Sequence, residues 1–338
     1  MPPLYVSTQG ARLRYRKRRL VVEKGGEELA AVPAIHVDEV LIFGNVSVTT
    51  PALGFLLGND IPVTFLTVRG RYKGRLVGPL GGHVRLRLRQ YDRTRDSAWT
   101  LETARAIVAA KLHNTRTLLR RYARRAESKT TVAPLTQAAN QLGALIERTA
   151  RCGTVNSLNG VEGRAAAVHF SVFRHLIRAP GWTFKSRNRR PPRDPVNALL
   201  SFGYTVLTHQ VESAVRSVGL DPYLGFLHQT AYNRPSLALD LVEEFRPIVV
   251  DSVVLRCLNN EIILPDNFRY DPEAEYPVLL SDEGRRRFIR EIESRLNLTF
   301  KHPARDERVT YRRCFELQAR HLARCLQTGD VYRPFKVR

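Results

Sequence analysis

The chain has 338 residues with 43% apolar content, which excludes wholesale disorder. No uninterrupted apolar stretch reaches the roughly 18–20 residues of a membrane span, and the N-terminus lacks the apolar segment of a signal peptide, so we expect a cytoplasmic protein with no membrane partner. The 54 Lys and Arg residues against 32 Asp and Glu give a formal net charge of +22, which favours a polyanion such as nucleic acid as partner.

The first 82 residues predict a β-rich domain with one helix. Short β-favouring segments lie at 4–7, 11–16, 19–24, 39–44, 61–67 and 72–78. Arg16–Arg19 fits a polar hairpin connection, and TTPALGFLLGND (49–60) predicts a short helix with Pro51 in its first turn. The turn-rich PLGGH (79–83) marks a boundary, which gives an N-terminal domain at 1–82 and a C-terminal domain at 83–338.

Helical periodicity dominates beyond this boundary. Helices are expected at about 99–126, 133–151, 157–178, 195–218, 236–258, 281–296 and 309–327. The fold class is therefore α+β multidomain, with a β-rich N-terminal domain followed by an all-α C-terminal catalytic domain. The four cysteines are scattered without metal-binding spacing, so we expect buried free thiols.

Two basic segments are candidate DNA contacts, because Arg pairs with phosphate in bidentate fashion. One face of helix 99–126 carries Lys111, Arg116, Arg120, Arg121, Arg124 and Arg125. The loop SRNRRPPRDP (186–195) carries Arg187, Arg189, Arg190 and Arg193. A solvated helix face is the alternative interpretation of the first segment. Charge alone does not separate an enzyme that acts on DNA from a packaging protein.

The segment GFLHQTAYNRPSLALDLVEEFRP (225–247) combines one His with an acidic cluster. Asp240, Glu243 and Glu244 lie at helical spacings of three and four, where like charges repel. Their neighbours are apolar, so part of the cluster lies near the core, where carboxylates require a cation. A divalent metal or Arg246 supplies one. With His228, the carboxylates form a ligand set that suits Mg²⁺ or Mn²⁺. A solvated acidic helix edge remains the alternative.

Two further helices carry polar residues in apolar surroundings. Glu162 lies in the first turn of a small-residue helix between Gly160 and Gly163, where it either complements the helix dipole or faces an approaching backbone or phosphate. Asn197 and Tyr204 share one face of the apolar helix that begins near Asp194. Asn197 either hydrogen-bonds core backbone or supports a metal-ligating carboxylate.

These motifs in this order, NG-VEG, DPVNALLSFGYTVL and GFLHQ…SLALDLVEEFRP, resemble the CRISPR-associated integrase-nuclease of spacer acquisition. The resemblance covers nearly the whole chain. It implies that Glu162, His228 and Glu243 bind a divalent metal, Mg²⁺ or Mn²⁺, and that Asp240 is a further catalytic acid. Asn197 and Tyr204 then become supporting residues. Glu244 is left ambiguous and ranks below Glu243.

The resemblance also implies a reaction and partners. The 3′-hydroxyl of a short foreign DNA attacks a phosphodiester of a CRISPR repeat array, in antiviral defence, and hydrolysis of branched DNA is the same chemistry with water as the attacker. The implied partners are double-stranded and branched DNA, a second copy in a homodimer assembled through the β-rich domain, and a small ferredoxin-like adaptation protein. A structure-specific repair or recombination nuclease and a non-enzymatic DNA-binding scaffold are the alternatives.

Overall fold

A computed structural model of the protein describes residues 3–68, 70, 72–78 and 83–337. The chain divides into two compact units. The first comprises Met1–Gly81, Asn267–Arg269 and Leu279–Arg286, and the second comprises Gly82–Asp266, Tyr270–Val278 and Arg287–Arg338. The predicted junction at 79–83 and the boundary after residue 82 fall on residues outside the described ranges, except for His83, so the boundary stays a prediction.

The N-terminal part of the chain forms strands, as predicted. They are β1 (Leu4–Val6), β2 (Arg12–Arg16), β3 (Arg19–Lys24), β4 (Glu27–Pro33), β5 (Val40–Phe43), β6 (Ser47–Val48), β7 (Val63–Leu66) and β8 (Tyr72–Leu76), with helix α1 (Thr50–Gly58) after β6. Within the described residues these strands form two four-stranded sheets, ordered β1-β5-β7-β8 and β4-β3-β2-β6. The sequence predicts no strand at β4, because its two Glu and two Ala weaken the strand signal, and β4 forms by antiparallel pairing with β3.

The connection between β2 and β3 is a two-residue hairpin turn. Arg16 pairs with Arg19, which leaves Lys17 and Arg18 in the turn with φ values of 49° and 61°. Positive φ at both positions is typical of a type I′ turn, whose twist matches that of the flanking strands. The predicted hairpin is confirmed, and the resulting register buries Leu13 and Leu20 in the core of the first unit.

Helices dominate the remainder of the chain. They are α2 (Val84–Arg95), α3 (Ser97–Arg125), α4 (Lys129–Thr149), α5 (Val155–Val172), α6 (Pro195–Ser217), α7 (Ser236–Glu243), α8 (Ser252–Asn259), α9 (Asp282–Leu296) and α10 (Tyr311–Thr328). Side-chain caps define several starts: Asp96, Thr154 and Asp194 accept backbone N–H groups at the first turns of α3, α5 and α6. No helix in the described ranges is both long and apolar enough to cross a bilayer.

Helix α6 lies at the centre of the second unit. Leu199, Leu200 and Val206 are fully buried, as expected for a helix that is apolar on most of its surface. At Gly203 a Cβ atom would lie 2.7 Å from Cγ1 of Val250, so glycine allows α6 to pack closely against the segment that follows α7. This packing fixes the region that carries the acidic cluster.

The continuous helix predicted for 236–258 is wrong in its middle. A π-helical segment, Pro247–Asp251, separates α7 from α8. Pro247 has no backbone N–H and its ring interferes with the carbonyl of the preceding turn, so the regular hydrogen-bond ladder cannot pass through it. The wider π turn accommodates this break and rotates α8 relative to the acidic residues of α7.

The mixed fold class, with sheets in the N-terminal region and helices beyond it, is confirmed. The C-terminal part is not purely helical, however, since it includes β9 (Phe268–Tyr270), β10 (Val278–Leu280), β11 (Thr299–Lys301) and β12 (Arg308–Thr310). Three residues are too few for strand alternation to appear in the sequence. Helix α2 also lacks a predicted counterpart, because its V-R-L-R-L-R alternation hides a helical period. The cysteines are buried free thiols, as expected.

Candidate active site

Three helices of the second unit bring Lys111, Glu162 and Glu243 together. The Lys111 ammonium on α3 donates to Oε1 of Glu162 on α5 and lies 2.6 Å from Oε2 of Glu243 on α7. The Glu243 side chain is only 4% exposed, whereas that of Glu162 is 26% exposed. The two carboxylates therefore converge on one cation at a site that is accessible from the side of Glu162.

The prediction that Glu162 lies in the first turn of its helix is wrong: α5 begins at Val155, so Glu162 lies two turns into the helix, beyond the reach of the dipole at its N-terminus. A capping box between Thr154 and Ser157 sets this start. A Cβ atom added at Gly160 or Gly163 would meet no atom within 4 Å in the part of the chain that the structure describes. Both glycines are exposed, so no backbone of a described residue packs closely against α5 at these two positions.

Glu243 is a permanently ionised carboxylate. Burial alone would raise its pKa, but the charges of Arg246 and Lys111 outweigh burial and lower the pKa of Glu243 to about 2. Arg246 binds Oε1 at 2.7 Å. Oε2 is buried, and the Lys111 ammonium at 2.6 Å compensates its charge.

Asp240 fixes the position of His228. The Asp240 side chain is fully buried, and its Oδ2 accepts the backbone N–H groups of Phe226 and Leu227 at 2.6 and 3.0 Å. Its Oδ1 accepts the backbone N–H of His228 at 2.9 Å and lies 2.7 Å from Nδ1 of the same residue. A carboxylate partner assigns the proton to Nδ1, so Nε2 of His228 has its lone pair available for a metal or a proton.

Glycine is required in this turn. A Cβ atom at Gly225 would lie 2.8 Å from Oδ2 of Asp240 and 2.8 Å from the backbone carbon of Ser236. Asp240 thus binds the turn that carries His228, whereas Glu243, three residues later, contacts Lys111.

We expect Asp240→Asn to lower the free energy of unfolding by about 2 kcal/mol, because an amide NH₂ cannot accept the N–H groups that one carboxylate oxygen now binds. Urea unfolding measures this loss, and ¹⁵N NMR of His228 reports whether the imidazole tautomer changes. Asp92→Asn, on an exposed residue of α2, is the matched control. Equal stability of the two variants would contradict the role given to Asp240.

Tyr204 contacts the site through Arg246. The Arg246 guanidinium lies 4.2 Å from the centroid of the Tyr204 ring, and the Tyr204 hydroxyl donates to Oδ1 of Asp251 at 2.5 Å. Asp251 Oδ2 lies 3.0 Å from Nε2 of His169. Burial, reinforced by Asp251, raises the pKa of Tyr204 well above its usual value, so the hydroxyl stays protonated and positions Arg246 instead of acting as a nucleophile.

Asn197 holds the basic loop. Its side chain donates to the carbonyl of Ser186 at 2.8 Å and to Asp194 at 2.6 Å, and it accepts the backbone N–H of Asn188 at 3.1 Å. Arg187 donates to Oδ1 of Asn197 at 2.7 Å. Asn197 therefore hydrogen-bonds neighbouring backbone, and these bonds do not connect it to Glu162 or Glu243.

The predicted DNA-contact arginines lie in different environments. Arg120, Arg124, Arg189, Arg190 and Arg193 are exposed. Arg116 is half-buried and packs against Gly143 of α4. Arg187 binds Asn197 and Ser201, and burial lowers its pKa to about 10. Lys111 does not belong with the exposed arginines of α3, Arg120 and Arg124, because it pairs with Glu162 and Glu243.

Glu244 follows Glu243 at the end of α7, about 100° further around the helix, and has different partners. It accepts hydrogen bonds from the Tyr332 hydroxyl and the Phe335 backbone, each at 2.6 Å, and from the Gln318 amide at 3.2 Å. Burial raises the pKa of Glu244 to about 7 although these three bonds oppose the shift. Glu244 therefore anchors the C-terminal segment beneath α7.

The position of Lys111 among apolar residues of α3 indicates that it is not an ordinary surface lysine. Residues one and two turns away on the same face of α3 (Ala104, Ile107, Thr115 and Leu118) are buried. A lysine in such a row requires an acidic partner. The other cation of the site, Arg246, is the residue that the sequence suggests as compensation for the acidic cluster.

The donor set fits Mg²⁺ or Mn²⁺ in its chemistry. Two carboxylates converge on one cation, and Nε2 of His228 is available as a nitrogen ligand. In their present positions, however, no three His, Cys, Asp or Glu side chains among the described residues are grouped closely enough to hold a metal ion. The Lys111 ammonium takes the place between the carboxylates, so a metal would require it to move.

Sequence comparisons identify relatives across nearly the whole chain. The profile of the family described as CRISPR associated protein Cas1 matches residues 4–294. A Cas4 exonuclease–Cas1 endonuclease fusion of Rhodospirillum rubrum is 40% identical over 336 residues, which cover 98% of this chain and 56% of the fusion. A separate Cas1 endonuclease of that organism is 37% identical over 340 residues, with 98% and 97% covered. The chain thus spans little more than half of the fusion and nearly all of the separate protein.

Solved structures agree with these relationships. A Cas1 protein from Thermotoga maritima matches with a TM-score of 0.84 and 26% identity, and each chain is covered completely. A chain of a Cas6-RT-Cas1–Cas2 complex matches with the same TM-score of 0.84 and 26% identity, over 100% of this chain and 36% of that chain. The family profile, the sequence identities and the shared fold lead to one conclusion, which confirms the resemblance of the motifs: the chain belongs to the Cas1 family of CRISPR-associated proteins.

Proposed function

We propose that the protein is a metal-dependent DNA endonuclease and integrase, which joins the 3′-hydroxyl of a short foreign DNA to a CRISPR repeat array. One observation carries this proposal: Glu162 and Glu243 converge on a single cation in a chain with a net charge of +22. Carboxylates concentrated in a basic protein suit phosphoryl transfer on nucleic acid. The name endonuclease, which the Cas1 relatives carry, supports the proposal.

Glu162, His228 and Glu243 are the residues that would hold Mg²⁺ or Mn²⁺. When bound, the ion would polarise the target phosphate and stabilise charge on the attacking or leaving oxygen. The chain's own residues prepare this site. Asp240 keeps the Nδ1 proton of His228 in place, and Arg246 fixes one oxygen of Glu243. The Glu162 side chain is 26% exposed, which leaves it accessible to a phosphodiester.

The proposed partners follow from charge and family. The exposed residues Arg120, Arg124, Arg189, Arg190 and Arg193 are candidate contacts for double-stranded or branched DNA. A homodimer and a small ferredoxin-like adaptation protein are the proposed protein partners, and the cytoplasm is the proposed location. The similar chain in the Cas6-RT-Cas1–Cas2 complex supports association with a Cas2 protein.

A strand-transfer assay tests the proposal. The protein is incubated with a labelled branched DNA and a plasmid that contains a repeat array, in Mg²⁺, in Mn²⁺ or in excess EDTA. We expect cleavage and joined products only with metal, and none with His228→Ala. Salt-sensitive DNA binding without turnover would instead support a scaffold. Branch cleavage without any joining to repeats would support a repair nuclease, and full turnover in EDTA would exclude the metal-dependent mechanism.

A further inference from the structure

Lys111 occupies the position between the two carboxylates that a metal ion requires. It comes from the middle of α3, its side chain is 12% exposed, and its ammonium contacts both Glu162 and Glu243. A buried acidic pair without a cation would be strongly repulsive. In the metal-free protein, Lys111 is therefore the counter-ion that keeps the two carboxylates together.

A divalent ion and the ammonium cannot share these oxygens. The ammonium already lies 2.6 Å from Oε2 of Glu243, so a metal bound to the same oxygen would place two cations in near contact. Glu243 would keep one counter-ion if Lys111 left, because Arg246 binds its other oxygen at 2.7 Å. Metal binding therefore displaces Lys111 and leaves Arg246 in place.

The displaced ammonium enters cationic surroundings. A small cavity of about 30 Å³, room for about one water molecule, lies beside Lys111. Its lining also includes three arginines, Arg187, Arg189 and Arg246, and one carboxylate, Asp251, which already accepts a hydrogen bond from Tyr204 and contacts His169. The cations outnumber this carboxylate, so an ammonium released from Glu162 and Glu243 requires a further anion. A phosphodiester of bound DNA has the charge and the hydrogen-bond acceptors for this role.

We propose that Lys111 is an exchangeable counter-ion, which neutralises Glu162 and Glu243 in the free protein and moves to a DNA phosphate when the metal enters. The inference rests on the proposed metal-dependent function and adds a coupling to it. DNA draws the ammonium away from the carboxylates, so DNA strengthens metal binding, and by reciprocity the metal strengthens DNA binding. The site therefore binds metal more weakly before substrate arrives.

Mn²⁺ titrations followed by EPR test the coupling, since free Mn²⁺ gives a signal that bound Mn²⁺ loses. Metal-stripped protein is titrated alone and with a DNA duplex that ends in 3′-dideoxynucleotides, which cannot be joined. For the wild type we expect DNA to raise the Mn²⁺ affinity about tenfold, within the usual range for coupling between two sites. Lys111→Met alone should bind Mn²⁺ about tenfold more tightly than the wild type, and DNA should no longer change its affinity.

Two controls separate the possible failures. Lys129→Met removes the same charge from an exposed lysine at the start of α4 and should behave as the wild type. If it matches Lys111→Met, or if Lys111→Met binds Mn²⁺ no more tightly than the wild type, the inference is overturned. Glu162→Gln tests the metal site itself: if it leaves Mn²⁺ binding unchanged, the proposed ligand set fails, whatever Lys111 does. Lys111→Gln replaces the Met variant if the latter does not fold.

Discussion

Glu162→Gln should reduce metal-dependent DNA cleavage about 1,000-fold, which corresponds to about 4 kcal/mol of transition-state stabilisation. Glutamine has the size of glutamate but lacks its charge, so the variant removes one of the two carboxylates that converge at the site. The side chain of Glu162 is 26% exposed and makes its ion pair only with Lys111 among the pairs observed in the described residues, so the fold should survive the change. Single-turnover cleavage of a labelled branched DNA in Mn²⁺ measures the loss.

Glu147→Gln is the matched control for this prediction, because Glu147 is an exposed residue of α4. It should cleave at the wild-type rate. Thermal unfolding of both variants should agree with the wild type within a few degrees, which would show that any loss in rate is local to the site. A Glu162→Gln enzyme with wild-type rates would remove Glu162 from the proposed ligand set.

Glu244→Gln should remove a pH dependence of stability that is worth about 3 kcal/mol. Burial raises the pKa of Glu244 to about 7 from its ordinary value of 4.5, so the folded protein binds this proton more tightly than the unfolded chain. The stabilisation is therefore fully present below about pH 4.5 and is lost as the pH rises through 7. Glutamine does not titrate, so the difference in unfolding free energy between wild type and variant should change by this amount between about pH 5 and pH 8.

Urea unfolding at several pH values measures this difference, with Glu147→Gln again as the control for one lost carboxyl. The control should follow the wild-type curve throughout. A constant difference between wild type and Glu244→Gln from pH 5 to pH 8 would mean that Glu244 titrates normally. In that case its hydrogen bonds from Tyr332, Phe335 and Gln318 would compensate burial fully.

Much of the fold could be predicted from local patterns. Alternating apolar residues identify β2 and β3, and the helical period identifies α3 and α6 to within a few residues. The errors have local causes as well. Pro247 lies within an otherwise continuous apolar pattern, which hides the break that its missing N–H makes in the hydrogen-bond ladder. The composition of β4 does not indicate a strand. It forms because its backbone pairs with the edge of β3.

The acids of the candidate site and one of its cations, Arg246, were predictable, but Lys111 was not. Glu162 and Glu243 are conspicuous because carboxylates in apolar helices require compensation, and the family resemblance selects them from several acids. Lys111 lies 51 residues before Glu162 and within a basic stripe, so its partners emerge only when α3, α5 and α7 pack together. Asn197 illustrates the same limit, since its partners Ser186 and Asn188 lie in a loop without a periodic pattern.

The different partners of Glu243 and Glu244 have a consequence for evolution. One residue of helix corresponds to a rotation of about 100°, so a deletion between Asp240 and Glu243 would turn Glu244 towards Lys111, and an insertion would turn Glu243 away from it. Either change would also remove the acceptor beneath α7 that Tyr332 and Phe335 now share. Substitutions at Leu241 or Val242 can be absorbed by repacking, but changes in length cannot. Across related sequences, the spacing of this segment should therefore vary less than its composition.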